Sequence, residues 1–188
     1  MDNITAIANA VGYRVILQNH FKENEKYPNK LLGVTLLPVI VISLLEIEMI
    51  FKAKLDIETL SYPTGHDGHN IAKLFDLLPK KTQDNISDNY NKQIQSVQRN
   101  KGCELLSSND LVKQLDGNLF TNFRYLDVPD TKFISISLLD SITYFRYVLE
   151  NLFELPSVER IGNFDYKSLD EKNIETDTEY LKCIWKNI

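Results

Sequence analysis

The chain contains few of the residues that mark disulfide-stapled, collagen-like or disordered proteins. Its 188 residues include only two cysteines, Cys103 and Cys183, together with seven glycines and six prolines. The cysteines have no metal-binding or redox spacing, so we expect reduced thiols in a cytoplasmic protein rather than a disulfide framework. With 43% hydrophobic and 25% charged residues, the composition fits one globular domain, or one domain with a small appendage.

Positive charge is also scarce, because 21 lysines and arginines are outnumbered by 26 aspartates and glutamates. This balance argues against a large basic footprint for duplex nucleic acid, although it leaves room for a local groove. We expect no membrane span, since the uncharged run 31–45 is shorter than the roughly 20 residues that a bilayer helix needs. The N-terminus also lacks the charged and apolar stretches of a secretory signal, so none is expected.

Apolar residues recur at helical spacing along most of the chain and predict an all-α fold. The most regular stripe covers 136–153. Shorter stripes cover 71–78, 86–97 and 111–123. From Pro38 to Leu55 nearly every face is apolar at first, which is typical of a central buried helix, and Pro38 fits its first turn. We therefore expect an up-and-down bundle of about five core helices.

Composition and proline positions divide the chain into three parts. We predict an N-terminal segment over residues 1–35, the helical bundle over residues 36–155 and an acidic C-terminal extension over residues 156–188. A polar stretch containing Pro28 separates the first two parts. The last residues of the extension have apolar spacing that fits a short helix packed on the body.

Two groups of histidine-containing residues invite a chemical interpretation. The segment 66–69 (His-Asp-Gly-His) fits either half of a metal site or a loop in which His69 and Asn70 cap the next helix. We expect the cap, and no metal or other cofactor. Arg14 and His20 have the composition of a ribonuclease arginine–histidine pair, or they are ordinary residues of the first helix.

Charges within the apolar stretches predict ion pairs that are either partly exposed or buried. Glu48 precedes Lys52 by four residues, the orientation that favours an ion pair on a helix. If this helix is central, the pair needs further partners, because burying charges is costly unless they are matched. Arg124 and Arg146, each followed by tyrosine, either reach a core carboxylate or present a cation to an anionic ligand.

Three segments, in this order, resemble the motifs of the HEPN superfamily, the helical domains named for higher eukaryotes and prokaryotes nucleotide-binding. They read IEMIFKA over 47–53, GHNIAKLF over 68–75 and FTNFRY over 120–125. The resemblance covers about residues 36–153 and implies an up-and-down helical bundle that is often dimeric. It also implies a role in toxin–antitoxin or other defence systems, where many members are ribonucleases and others are inactive binding or scaffold domains.

The position of the histidines separates these two roles. Active members of the family carry an arginine and, a few positions later, a histidine. Arg124 matches the arginine, but His20, His66 and His69 all precede it and none follows it. The resemblance therefore implies a binding module more than an enzyme.

We accordingly expect a HEPN-like homodimeric binding or scaffold module in a bacterial-type defence or stress setting. Its expected partners are RNA, a nucleotide or another protein. The predicted polar cluster comprises Glu48, Lys52, His69, Arg124 and Tyr125. Two alternatives stay open. One is a metal-independent ribonuclease in which Arg124 binds phosphate and His66 or His69 transfers a proton. The other is a purely structural interaction domain, which predicts an exposed apolar patch and no polar cleft.

Overall fold

The computed structural model describes residues 3–26, 32–59, 61, 63, 65–101, 104–115 and 136–153. These residues form six α-helices and one 3₁₀ turn, with no strand among them. The helices are α1 (Asn3–Lys26), α2 (Leu32–Thr59), α3 (Ile71–Leu77), α4 (Lys80–Lys101), α5 (Ser108–Gln114) and α6 (Ile136–Leu152), and the 3₁₀ turn is Gly65–His69. The prediction of an all-α helical bundle is confirmed.

The central helix is α2, which packs against α1, α3 and α6. It begins at Leu32, so Pro38 lies inside the helix. The sequence had predicted that Pro38 lies in the first turn. The prediction was wrong because a proline inside a helix removes one backbone hydrogen bond without preventing the residues before it from forming helical turns. No described helix is both long and apolar enough to cross a membrane.

Helix α1 contributes to the same apolar core as the rest of the described chain. Its buried residues recur at helical spacing and include Ala6, Ile7, Ala10 and Val11. The predicted boundary between residues 35 and 36 falls within α2. The predicted extension over 156–188 lies outside the described residues.

Local capping signals fix where two of the short helices begin. The Asn70 side chain accepts a hydrogen bond of 3.0 Å from the backbone N–H of Lys73 at the start of α3. Ser107 likewise accepts one of 3.2 Å from the N–H of Asp110 at the start of α5. Both caps satisfy amide groups that have no partner within the first helical turn, and the cap at Asn70 was predicted from the sequence.

Aromatic side chains connect α2, α4 and α6 in the centre of the bundle. The ring of Phe145 lies edge-on to Tyr90 at 5.3 Å between centroids and to Phe51 at 6.2 Å. The Tyr90 hydroxyl donates to the carbonyl of Leu106 at 3.0 Å, and burial raises the pKa of this phenol to about 12. These contacts hold α2 in a fixed position between its neighbours.

Shortening a side chain on the buried face of α2 should destabilise the fold strongly. Leu44 is fully buried, so Leu44→Ala leaves a cavity and should lower the free energy of unfolding by about 2–5 kcal/mol. Val41 is only partly buried at the edge of the core, so Val41→Ala should cost clearly less. Urea denaturation of both variants measures this difference, and equal losses would show that Leu44 does not lie in the core.

Candidate functional site

Helix α2 carries two fully buried carboxylates, Glu46 and Glu48. Residues two positions apart on an α-helix point about 200° away from each other. The two side chains therefore meet different neighbours on opposite sides of α2. We call Glu48, Lys52 and His69 the His69 cluster, and Arg14, Glu46, Arg146 and Glu150 the arginine cluster.

The His69 cluster extends from the core to the surface. The Lys52 ammonium donates a hydrogen bond to Glu48 Oε1 at 2.6 Å. His69 Nδ1 lies 3.0 Å from the same oxygen. The exposed fraction of the side chain is 0% for Glu48, 7% for Lys52 and 49% for His69. One buried carboxylate therefore holds a buried cation and an imidazole that solvent reaches.

The 3₁₀ turn Gly65–His69 positions this imidazole against α2. Gly65 has a φ of +65°, a conformation that glycine adopts without steric cost. Gly68 is buried, and a Cβ on it would lie 2.5 Å from the carbonyl oxygen of Pro63 and 3.9 Å from Lys52 Nζ. The absence of a side chain at residue 68 therefore lets the turn approach both Pro63 and the Lys52 ammonium.

Adding a methyl group at Gly68 should displace the turn. Gly68→Ala forces the backbone of Pro63 to move and should lower the free energy of unfolding by about 1–3 kcal/mol. Gly12 in α1 is the matched control, since it is exposed and a Cβ there meets no atom within 4 Å. Gly12→Ala should stabilise the protein by about 0.5–1 kcal/mol through helix propensity. Thermal denaturation measures both changes, and a neutral Gly68→Ala would contradict this packing.

Three of the five residues predicted to form a polar cluster lie together in the structure: Glu48, Lys52 and His69. The other two, Arg124 and Tyr125, lie outside the described residues. His66 belongs to the same 3₁₀ turn as His69. Beside the cluster, the exposed Lys73 ammonium donates to Asp67 Oδ1 at 2.6 Å.

The arginine cluster joins α1, α2 and α6. Arg14 Nε lies 3.0 Å from Glu150 Oε2. Arg146 Nη1 donates to Glu150 Oε1 and, at 3.3 Å, to Glu46 Oε2. Glu46, Arg146 and Glu150 are buried, and the side chain of Arg14 is 18% exposed. Two arginines and two glutamates thus share one buried junction between three helices.

The two carboxylates of this junction are not equivalent. Glu150 contacts both arginines, whereas Glu46 contacts Arg146 through one oxygen. The other oxygen, Glu46 Oε1, is buried and has no hydrogen-bond partner among the described residues. Burial, and secondarily the negative charge of Glu150, raise the pKa of Glu46 from 4.5 to about 8. Glu46 is therefore largely protonated at neutral pH.

Of the two alternatives that the sequence left open for Arg146, the structure shows contact with a core carboxylate, Glu46, but the sequence did not predict the cluster of four residues. The pair of Arg14 and His20, which the sequence left open, is not favoured by the helix, because residues six positions apart point about 120° away from each other. Arg14 instead reaches Glu150 on α6. One local signal was available, because Arg146 and Glu150 are four residues apart in the most regular amphipathic stripe of the chain.

A groove with a mixed polar and apolar lining lies between α4 and α6. It has a volume of about 330 Å³ and is lined by Asn89, Gln93, Tyr147, Val148, Asn151 and Leu152. Tyr147 is half exposed, as are Ile16 on α1 and Leu77 on α3. These large apolar side chains lie on three different helices.

No family model, curated protein or solved structure matches this chain. Among the residues that the structure describes, no group of three histidine, cysteine, aspartate or glutamate side chains could hold a metal ion. Of the two buried clusters, the His69 cluster contains an imidazole that solvent reaches.

Proposed function

We propose that the chain is a HEPN-like binding module that holds a phosphate group of RNA or of a nucleotide at the His69 cluster. The main observation in support is that the fully buried Glu48 carboxylate contacts an imidazole that is 49% exposed. The segments 47–53 and 68–75, which resemble two HEPN motifs, supply all three residues of the cluster. This coincidence of motif and geometry supports the proposal.

The charges of the cluster suit an anionic ligand. The Glu48 carboxylate and the Lys52 ammonium balance each other. A phosphate oxygen accepts a hydrogen bond from the exposed ring nitrogen when both ring nitrogens carry a proton, and in that form the cluster has a net positive charge. A phosphate approaching the exposed part of the ring would then receive a charge-assisted hydrogen bond, the stronger kind for this ligand. In this proposal the module acts as a homodimer, in keeping with the resemblance.

A second candidate function is the metal-independent ribonuclease. It is favoured by the 3.0 Å contact between His69 Nδ1 and Glu48 Oε1. A carboxylate at one ring nitrogen orients an imidazole for proton transfer at the other, the arrangement used in general acid–base catalysis. In this alternative Arg124 would bind the phosphate while His69 takes or gives the proton.

One pair of assays tests the proposal and separates it from the alternative. Fluorescence anisotropy with labelled single-stranded RNA, and calorimetry with nucleoside triphosphates, should show binding that His69→Gln weakens about tenfold or more, the value of a charge-assisted hydrogen bond. His20→Gln on α1 is the matched control and should bind as the wild type does. Equal affinity in His69→Gln and the wild type would overturn the proposal.

The RNA recovered from the binding samples decides between the two functions. Intact RNA supports a binding module. If the wild type and His20→Gln cleave the RNA and His69→Gln leaves it intact, the result supports the ribonuclease instead. Sedimentation equilibrium on the same samples should give the mass of a dimer, and a monomer at all concentrations would contradict the homodimer.

A further inference from the structure

Two lysines lie against the 3₁₀ turn that carries the exposed imidazole, and each of them pairs with a carboxylate. Lys52 on α2, whose ammonium the turn approaches closely, donates a hydrogen bond to Glu48 at 2.6 Å. Lys73 on α3 donates one to Oδ1 of Asp67, a residue of the turn itself, also at 2.6 Å. The positive charge of each lysine is therefore balanced by a carboxylate beside it.

The two ion pairs differ in how far solvent reaches them. The exposed fraction of the side chain is 7% for Lys52 and 0% for Glu48, but 54% for Lys73 and 56% for Asp67. Separating the buried pair would leave an uncompensated charge in the core, which is costly. An exposed pair contributes little to stability, so its members can separate into water. Of the two lysines, Lys73 is therefore the one that can change its partner.

Two hydrogen bonds fix the position of Lys73 relative to the turn. The backbone N–H of Asn70 donates to the carbonyl of Asp67 at 3.2 Å, and the Asn70 side chain accepts from the backbone N–H of Lys73 at 3.0 Å. Asp67 is two positions from His69, so their Cα atoms are at most about 7 Å apart. The ion pair with Asp67 thus holds the Lys73 ammonium on the same short turn as the imidazole of His69.

We propose that Lys73 is a second phosphate-binding residue and that Asp67 occupies its ammonium until the ligand arrives. This inference rests on the proposed function of the His69 cluster. When RNA or a nucleotide binds with a phosphate at His69, the Lys73 ammonium exchanges the Asp67 carboxylate for a phosphate oxygen, and Asp67 turns into water. Lysine suits this role because its ammonium carries three donors on a flexible stem. Asp67 is therefore an internal competitor that weakens binding of the phosphate.

Binding of labelled single-stranded RNA and of ATP, measured by anisotropy and calorimetry, tests the exchange. Asp67→Asn keeps the size of the side chain but removes its charge, and it should bind about two- to fivefold more tightly, the value of an exposed ion pair. Lys73→Gln should bind about three- to tenfold more weakly and should reduce the salt dependence of RNA binding by about one phosphate contact. Lys80 and Asp84 form a comparable exposed pair at the start of α4, so Lys80→Gln and Asp84→Asn should bind as the wild type does.

Unchanged affinity in Asp67→Asn would overturn the exchange, and so would unchanged affinity and salt dependence in Lys73→Gln. The double variant separates competition from simple repulsion between Asp67 and the phosphate. If Asp67 acts by holding Lys73, Asp67→Asn should gain clearly less affinity in the Lys73→Gln background than in the wild type. An equal or larger gain in that background would also overturn the exchange.

His69→Gln distinguishes a failure of this inference from a failure of the proposed function. If His69→Gln weakens binding while Asp67→Asn and Lys73→Gln bind as the wild type does, the exchange alone is wrong. If neither the wild type nor Asp67→Asn binds RNA or ATP, both the exchange and the proposed function are wrong.

Discussion

Replacement of Lys52 by methionine should destabilise the protein by about 3–5 kcal/mol. Lys52 is 6% exposed and supplies the ammonium that neutralises the Glu48 carboxylate at 2.6 Å. Lys52→Met retains the length of the apolar stem but leaves Glu48 as a buried charge whose other described contact is His69. Leaving one member of a buried ion pair uncompensated is among the costliest single changes in a core. Urea denaturation at pH 7 measures the loss.

Two variants establish that the loss comes from the uncompensated charge. The double variant Glu48→Gln with Lys52→Met replaces both charges of this pair with neutral side chains, so it should recover most of the lost stability. Lys54→Met is the matched single substitution, since Lys54 pairs with Glu58, which is partly open to water. It should cost clearly less than Lys52→Met. A loss below about 1 kcal/mol for Lys52→Met would mean that Glu48 is not a buried carboxylate.

Stability should also decrease as the pH rises from about 4.5 to 8, because of Glu46. Burial raises the pKa of this carboxyl from 4.5 to about 8 in the folded protein. Between these values the folded state holds a proton that the unfolded state has lost, so unfolding releases a proton. The contribution of Glu46 is fully present below pH 4.5 and falls by about 1.4 kcal/mol per pH unit until the pH reaches 8.

A comparison of denaturation curves isolates this contribution. The free energy of unfolding is measured at several pH values from 5 to 9 for the wild type and for Glu46→Gln. All other titrating groups are shared, so the difference between the two proteins should grow in favour of Glu46→Gln as the pH rises and become constant above about pH 8. Parallel curves over the whole range would show that Glu46 is ionised in the folded protein.

The parts of the fold that depend on neighbouring residues could be predicted from the sequence. Asn70 caps α3 because its side chain reaches an amide three residues away, and the stripe of α6 follows from the helical period. Pro38 shows the limit of such signals. A proline fits the first turn best, but α2 begins six residues before Pro38, because a proline also fits inside a helix at the cost of one backbone hydrogen bond.

In the buried clusters, too, contacts between residues near in sequence could be predicted and contacts between distant residues could not. Glu48 and Lys52 are one turn apart, so their ion pair could be predicted from spacing alone. The contact between Arg146 and Glu46 joins residues a hundred positions apart and depends on how α2 and α6 pack, which no local pattern specifies. The ion pair of Arg14 with Glu150 also joins distant residues, on α1 and α6, and could not be predicted for the same reason. His69 was placed beside Glu48 through the resemblance to a family, not through spacing.

The most direct test of the proposed function observes His69 itself. Proton–nitrogen NMR spectra of the histidine side chains, recorded while a nucleoside triphosphate or a short RNA is added, report separately on His69 and on His20. The proposal predicts that the ring resonances of His69 shift to saturation while those of His20 stay in place, and that Lys52→Met, if folded, reduces the shift. Resonances of His69 that do not move at saturating ligand would contradict the proposal.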